Sequence, residues 1–198
     1  MARFSKLRSI FEERRVGRII MFILITGSVT YGLGGTWPNV VLAGLIGVTL
    51  SAGGFYLDYL ADYEKDRASG RMLNPIARGT LSPRAGLSIV VLCLGTSAVL
   101  SLLSNPWILL PLVSVVIVDV GLAIGVLDTP FLRAFSLGAL QGFYVIIGAL
   151  AANRFELGVI LLSLFLLFAM TGGRVLGDTR DLLYDQKTDT MTIPKKYG

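Results

Sequence analysis

The chain has 198 residues, 54% of them hydrophobic, with a mean hydropathy of +0.71 and a net charge of +5. Charge-free apolar runs of this length exclude a soluble domain. The absence of histidine excludes histidine acid–base chemistry and histidine metal sites, and a lone cysteine, Cys93, excludes an internal disulfide. The positive charge fits the loops of a membrane protein, and no nucleic-acid partner is expected.

Residues 1–17 are basic and amphipathic, with Phe4, Leu7, Ile10 and Phe11 on the apolar side. They read as an interfacial helix on the cytoplasmic surface, without the short apolar core and small-residue cleavage site of a secretory signal. Six membrane-spanning helices are expected over residues 18–36, 38–57, 84–103, 107–127, 134–152 and 156–175. Each has about the 20 apolar residues that crossing a bilayer requires. Gly34-Gly35-Thr36-Trp37-Pro38-Asn39, Ser104-Asn105-Pro106-Trp107, Asp128-Thr129-Pro130 and Ala152-Asn153-Arg154 punctuate them. Of the 18 lysines and arginines, all but Arg154 fall on one side of this arrangement. That bias places the N-terminus, the loop over 58–83 and the tail over 176–198 in the cytoplasm, with Trp37 and Trp107 at the outer interface. The expected fold is all-α, a polytopic helical bundle forming one membrane domain over 1–198. Its expected location is the plasma membrane of a prokaryote.

Two stretches carry the chemistry. Asp58, Asp62 and Asp66 recur at i, i+4 and i+8, so each lies about 40° from the last on one helical face. Lys65, Arg67, Arg71 and Arg78 are interleaved or follow. The second stretch places Asp178, Asp181, Asp185 and Asp189 at spacings of 3, 4 and 4, among Arg174, Arg180 and Lys187. Acids beside arginines suit a magnesium-bound polyphosphate. Mg²⁺ takes one or two carboxylates plus phosphate oxygens, and arginine forks grip the remaining oxygens. The plain alternative for either stretch is a solvated charge run. Asp119 stands apart inside the fourth apolar segment, where a carboxylate is costly and commonly lines a cavity or a pathway. Gly138 and Gly142, four apart in the fifth segment, read as a close-packing surface between helices.

These two stretches resemble the UbiA superfamily of intramembrane prenyltransferases. That family carries N/D-x-x-x-D-x-x-x-D after its second helix, followed by R-P-x-x-x-G. It carries D-x-x-D-x-x-x-D after its sixth helix, followed by T-[LI]-P-x-x-x-G. Here the matching residues are Asp58, Asp62 and Asp66 with Asn74-Pro75-Ile76-Ala77-Arg78-Gly79, then Asp178, Asp181 and Asp185 with Thr192-Ile193-Pro194-Lys195-Lys196-Tyr197-Gly198. Two points depart from the pattern. Asn74 replaces the arginine before the proline, which removes one expected phosphate contact that Arg71 or Arg78 would have to supply. Ala139 stands where the family has a polar residue after the fifth-helix glycine, with Gln141 as its substitute.

The resemblance implies six transmembrane helices of an expected nine, so three more helices are expected from further sequence or from a second chain. It implies a transferase that moves an isoprenyl group from an allylic prenyl diphosphate to a lipophilic acceptor within the bilayer, with Mg²⁺ as cofactor. The metal is then expected on Asp58, Asp62, Asp66, Asp178, Asp181 and Asp185. Asp62, Asp66, Asp181 and Asp185 carry catalysis, and Arg71, Arg78, Arg180 and Lys195 surround the phosphates. Tyr56 and Tyr144 face the allylic cation, and Asp119 lies in the substrate cavity. A divalent-cation-binding transporter, or an inactive fragment of a prenyltransferase, is the alternative.

Overall fold

The computed structural model describes residues 15–68, 73–127, 129–185 and 192–197, with the side chains of 15–16 and 181–185 outside that description. The expected interfacial helix over 1–17 lies almost wholly outside the described residues, as do Arg71 and Asp128. The elements in chain order are α1 (Arg15–Gly32), α2 (Trp37–Ala68), α3 (Pro83–Ser104), a 3-10 turn (Pro106–Ile108), α4 (Leu109–Ala123), α5 (Pro130–Ala151), α6 (Leu157–Asp185) and the short α7 (Ile193–Tyr197). Six helices therefore stand where six were expected. Five of these stretches are long and apolar enough to cross a membrane. The apolar part of α1, Gly17–Gly32, is shorter; at 1.5 Å per residue it spans about 24 Å against a core of about 30 Å.

Local chemistry sets the boundaries. Ser82 and Thr129 accept from the backbone N–H groups of Ala85 and Leu132, and Pro83 and Pro130 sit in the first helical turn, where their missing N–H costs nothing. Gly34, at φ +77°, makes the tight reversal between α1 and α2. Asn105 ties the turn after α3 to the turn after α5: its side-chain N–H group donates to the Leu150 carbonyl and to Asn153 Oδ1, each at 2.9 Å.

Helix α5 is the axis of the bundle. Two thirds of its apolar span is buried (67%), against 6% for α6. It packs on α1, α2, α4 and α6. Small residues permit this closeness. A Cβ on Gly148 would lie 2.6 Å from the Thr26 carbonyl of α1, and the Thr30 hydroxyl donates to the Gly148 carbonyl at 2.8 Å. A Cβ on Gly138 would strike Thr171 Oγ1 and the Leu167 carbonyl of α6, and one on Gly142 would meet the Ser163 carbonyl at 3.1 Å. The glycine pair is thus a packing surface between α5 and α6. Phe22, Ile46, Leu50, Ile108, Leu112, Val115, Tyr144 and Ile147 fill the main core. Helix α6 turns Leu161, Leu164, Phe165 and Phe168 outward.

Three expected boundaries shift. The second and sixth helices run on through the acidic stripes, to Ala68 and Asp185, so those residues ride on helical extensions rather than in loops. At 32 and 29 residues these helices measure about 48 and 44 Å, well beyond a bilayer core. Lys65 and Arg67 in the last turn of α2 suit the negative end of its dipole. Helix α4 stops at Ala123 rather than near 127, followed by a turn in which Gly125 has φ +80°. Asp119 is therefore one turn from the end of α4.

Candidate functional site

The first stripe lies on the last three turns of α2. Asp62 is exposed, while Asp58 and Asp66 are half-buried. Asp66 is held from outside its helix. The side-chain N–H group of Asn74 donates to Asp66 Oδ2 at 3.1 Å and to the Tyr59 carbonyl at 2.9 Å. Asn74 Oδ1 accepts from the N–H groups of Ile76 and Ala77 at 2.9 and 3.3 Å. With 1% of its surface exposed, Asn74 is a buried clasp that closes the loop back onto α2. It does not wait for a phosphate. The expectation that Asn74 marks a lost phosphate contact is thereby recast: the neutral amide fits a buried, fully bonded position that a guanidinium could not occupy without a counter-charge.

One turn inward from Asp58 the stripe position is Gly54. Its missing side chain is replaced by a carboxylate from another helix: a Cβ on Gly54 would lie 2.5 Å from Asp119 Oδ2. Asp119 is also near enough to feel the charge of Asp58, and Tyr144 near enough to feel that of Asp119. Three residues chosen separately from the sequence thus share one neighbourhood at the inner end of the first stripe. Tyr144 is 2% exposed, with one ring face against Phe22 at a centroid distance of 4.1 Å. The Phe55 ring centroid lies 6.3 Å from that of Phe22, and the Arg18 guanidinium sits 5.4 Å from the centroid of the Phe55 ring, over its face. Tyr56 meets Tyr59 edge-on at 5.7 Å. Arg18 was not singled out in the sequence; a basic residue near the start of α1 looks like any positive-inside residue until the aromatic beneath it is seen.

The second stripe lies on the last turns of α6. Asp178 is buried, and Arg174 Nη2 donates to its Oδ1 at 2.8 Å. Arg180 is exposed, and Lys195 is half-buried on α7, which packs on α6 and α5. The backbone of Asp181 and Asp185 continues the helix, and their side chains lie outside the described residues. Arg78 is exposed, beside Gly79 at φ +76°. Helix α5 packs on both α2 and α6, which share no extended interface of their own. The helices that carry the two stripes therefore share α5 as a neighbour.

Among the described residues no three carboxylates gather into a ready-made metal cage. The stripes suit a cation of a different habit. Mg²⁺ binds through one or two carboxylates and completes its octahedron with water and phosphate oxygens. Carboxylates one helical turn apart, with arginines alongside, meet that requirement. An apolar groove of about 540 Å³ between α1 and α2, edged by Tyr31 and Trp37, lies at the opposite end of α2 from the stripes.

The sequence over residues 19–198 matches the UbiA prenyltransferase family. The chain belongs to the UbiA prenyltransferase family. Its fold is similar to a solved structure described as that of a digeranylgeranylglyceryl phosphate synthase in membranes, with a TM-score of 0.79 and 23% sequence identity. The match covers 98% of this chain and 70% of that one. No curated protein matches. Membership makes the chain a membrane prenyltransferase in class, and the UbiA fold explains why its two acidic motifs are carried on helices that flank a common neighbour.

Proposed function

We propose that the chain transfers an isoprenyl group from an allylic prenyl diphosphate to a lipophilic acceptor, with Mg²⁺ and the diphosphate held between the two stripes at the cytoplasmic face. The observation that carries this reading is the placement of charge over an apolar interior. Asp58, Asp62 and Asp66 on α2 and Asp178 with the Asp181 and Asp185 positions on α6, two helices that both pack on α5, form the polar end, and Phe22, Phe55 and Tyr144 lie inward of it.

The stripes are the residues that would hold Mg²⁺, which supplies charge neutralisation for the diphosphate as a leaving group. Arg78, Arg180 and Lys195 share the phosphate charge, as would Arg71. The C1–O bond to the diphosphate breaks, the new bond forms between C1 and the acceptor, and the acceptor loses a proton. Aromatic faces beside the first stripe favour the allylic cation, and the packed interior keeps water from intercepting it. Asp119 stands at the boundary between the polar and apolar parts and faces the reacting end of the substrate. The motif ends face the cytoplasm of a prokaryotic cell. The similar synthase makes a glyceryl phosphate lipid, so a lipid with a free glyceryl hydroxyl belongs in the acceptor panel beside aromatic acceptors.

The test is direct. The chain, in nanodiscs, is titrated with prenyl diphosphates of several lengths with Mg²⁺ or with EDTA, and then supplied with the acceptor panel. Binding that requires both Mg²⁺ and diphosphate, followed by transfer, is expected. Tight Mg²⁺ binding indifferent to diphosphate would favour a cation transporter instead. Cysteines at Ala68 and Lys196 should label only from the cytoplasmic side; labelling from opposite sides would separate the stripes and end the shared site.

A further inference from the structure

The second stripe begins before its first aspartate. Leu167, Thr171, Arg174, Asp178, Asp181 and Asp185 recur at 4, 3, 4, 3 and 4 residues, the spacing that keeps one helical face. Leu167 and Thr171 identify that face, because theirs are the atoms a Cβ on Gly138 would strike. At Leu167 and Thr171 the helix turns this face toward α5. Arg174 is the charged residue farthest inward along it, one turn below Asp178.

The guanidinium is only partly used. Nη2 donates to Asp178 Oδ1 at 2.8 Å, while Nε is buried with no acceptor among the described residues. Arginine cannot shed its charge, and its planar group offers five donors arranged to match an oxyanion. A buried charged donor without an acceptor is costly and rare. Neutralising Asp178 does not require it: a lysine would supply the charge without an Nε to bury. What the second edge of Arg174 lacks is an oxygen with negative charge, delivered beside a carboxylate of a metal-binding stripe.

We propose that Arg174 binds a phosphate oxygen of the prenyl diphosphate through its Nε edge, as a substrate-binding residue at the inner end of the second stripe. This rests on the stripes being the diphosphate site. It places a permanent positive charge on the membrane side of the diphosphate, while Arg180 and Lys195 stand nearer the cytoplasmic end. Asp178 holds the guanidinium in position before the substrate arrives, so the fork is oriented in advance.

Inorganic pyrophosphate with Mg²⁺ is the probe, titrated calorimetrically into the chain in nanodiscs. Arg174→Lys keeps the charge opposite Asp178 and removes the fork. Its expected affinity for pyrophosphate is about ten- to a hundredfold weaker, the scale of one hydrogen bond to a charged group, with the unliganded melting temperature little changed. In transfer assays its KM for prenyl diphosphate should rise while that for the acceptor stays. Should the lysine variant fold poorly, Arg174→Gln decides the same point and must lose at least as much affinity. Wild-type affinity in either variant would show that Arg174 serves only to neutralise Asp178 and would overturn the proposal. A wild-type chain that binds no Mg²⁺-pyrophosphate would instead overturn the diphosphate site itself, a different and separately visible result.

Discussion

The two acidic stripes look alike in sequence, yet the contacts described for each differ in kind. The first, on α2, draws on other elements: Asn74 in the following loop clasps Asp66, and Asp119 of α4 fills the space left by Gly54. The second, on α6, has a support within its own helix, with Arg174 and Asp178 paired one turn apart. The difference follows from surroundings. Helix α2 is packed by α1, α3, α4 and α5, so partners can reach it from several sides. Helix α6 is the least buried span and has fewer neighbours to borrow from. A clasp from another segment depends on correct tertiary packing, whereas a pair within one helix forms once that helix does.

The largest effects should come from the carboxylates, and they should be equal on both sides if the stripes share one ligand. Asp62→Asn and Asp181→Asn are each expected to weaken Mg²⁺-dependent prenyl diphosphate binding by at least about a hundredfold, because an amide lacks the charge that holds Mg²⁺. Binding isotherms with and without EDTA measure this. A large loss in one variant and none in the other would make the stripes independent.

Asn74→Ala should come next. It strips partners from the Tyr59 carbonyl and from the Ile76 and Ala77 N–H groups and frees Asp66. Losing a buried partner costs about 1–3 kcal/mol, and loosening a ligand's support costs about tenfold in metal affinity. Melting in detergent and Mn²⁺ binding by spin resonance report the two effects separately. If metal affinity holds while stability falls, Asn74 serves the loop alone.

Gly54→Ala tests the inner end of the first stripe. The added methyl would sit 2.5 Å from Asp119 Oδ2, and overpacking of this kind costs about 1–3 kcal/mol. Asp119→Ala should relieve part of it, with a coupling of about 0.5–3 kcal/mol in a double-mutant cycle of melting free energies. Additive effects would mean that the two residues do not meet.

The smallest effect is expected at the Arg154–Glu156 pair, 3.8 Å apart with side chains 63% and 58% exposed. Arg154→Ala should change stability by no more than about 0.5 kcal/mol and leave ligand binding untouched. It is the exposed counterpart of Arg174–Asp178, and a larger cost there would undo the claim that burial and a bound oxyanion, rather than ion pairing as such, make Arg174 matter.

Much of this was legible in one dimension. Apolar runs near 20 residues specify helices because a bilayer leaves backbone groups no other way to be satisfied. The bias of lysine and arginine, all but Arg154 on one side, sets the expected sidedness, and the aspartate spacings specify their faces because 3.6 residues per turn is a property of any helix. The glycine pair at 138 and 142 announced close packing but not its partner. Tertiary structure alone decided that Asn74 is a clasp, that Asp119 occupies the place of a side chain Gly54 does not have, that Arg18 lies over Phe55, and that the Nε of Arg174 is buried with no acceptor among the described residues. Sequence could not decide these. Periodicity reports which way a side chain leaves its own helix, while burial and partnership depend on what another segment, far along the chain, brings to meet it.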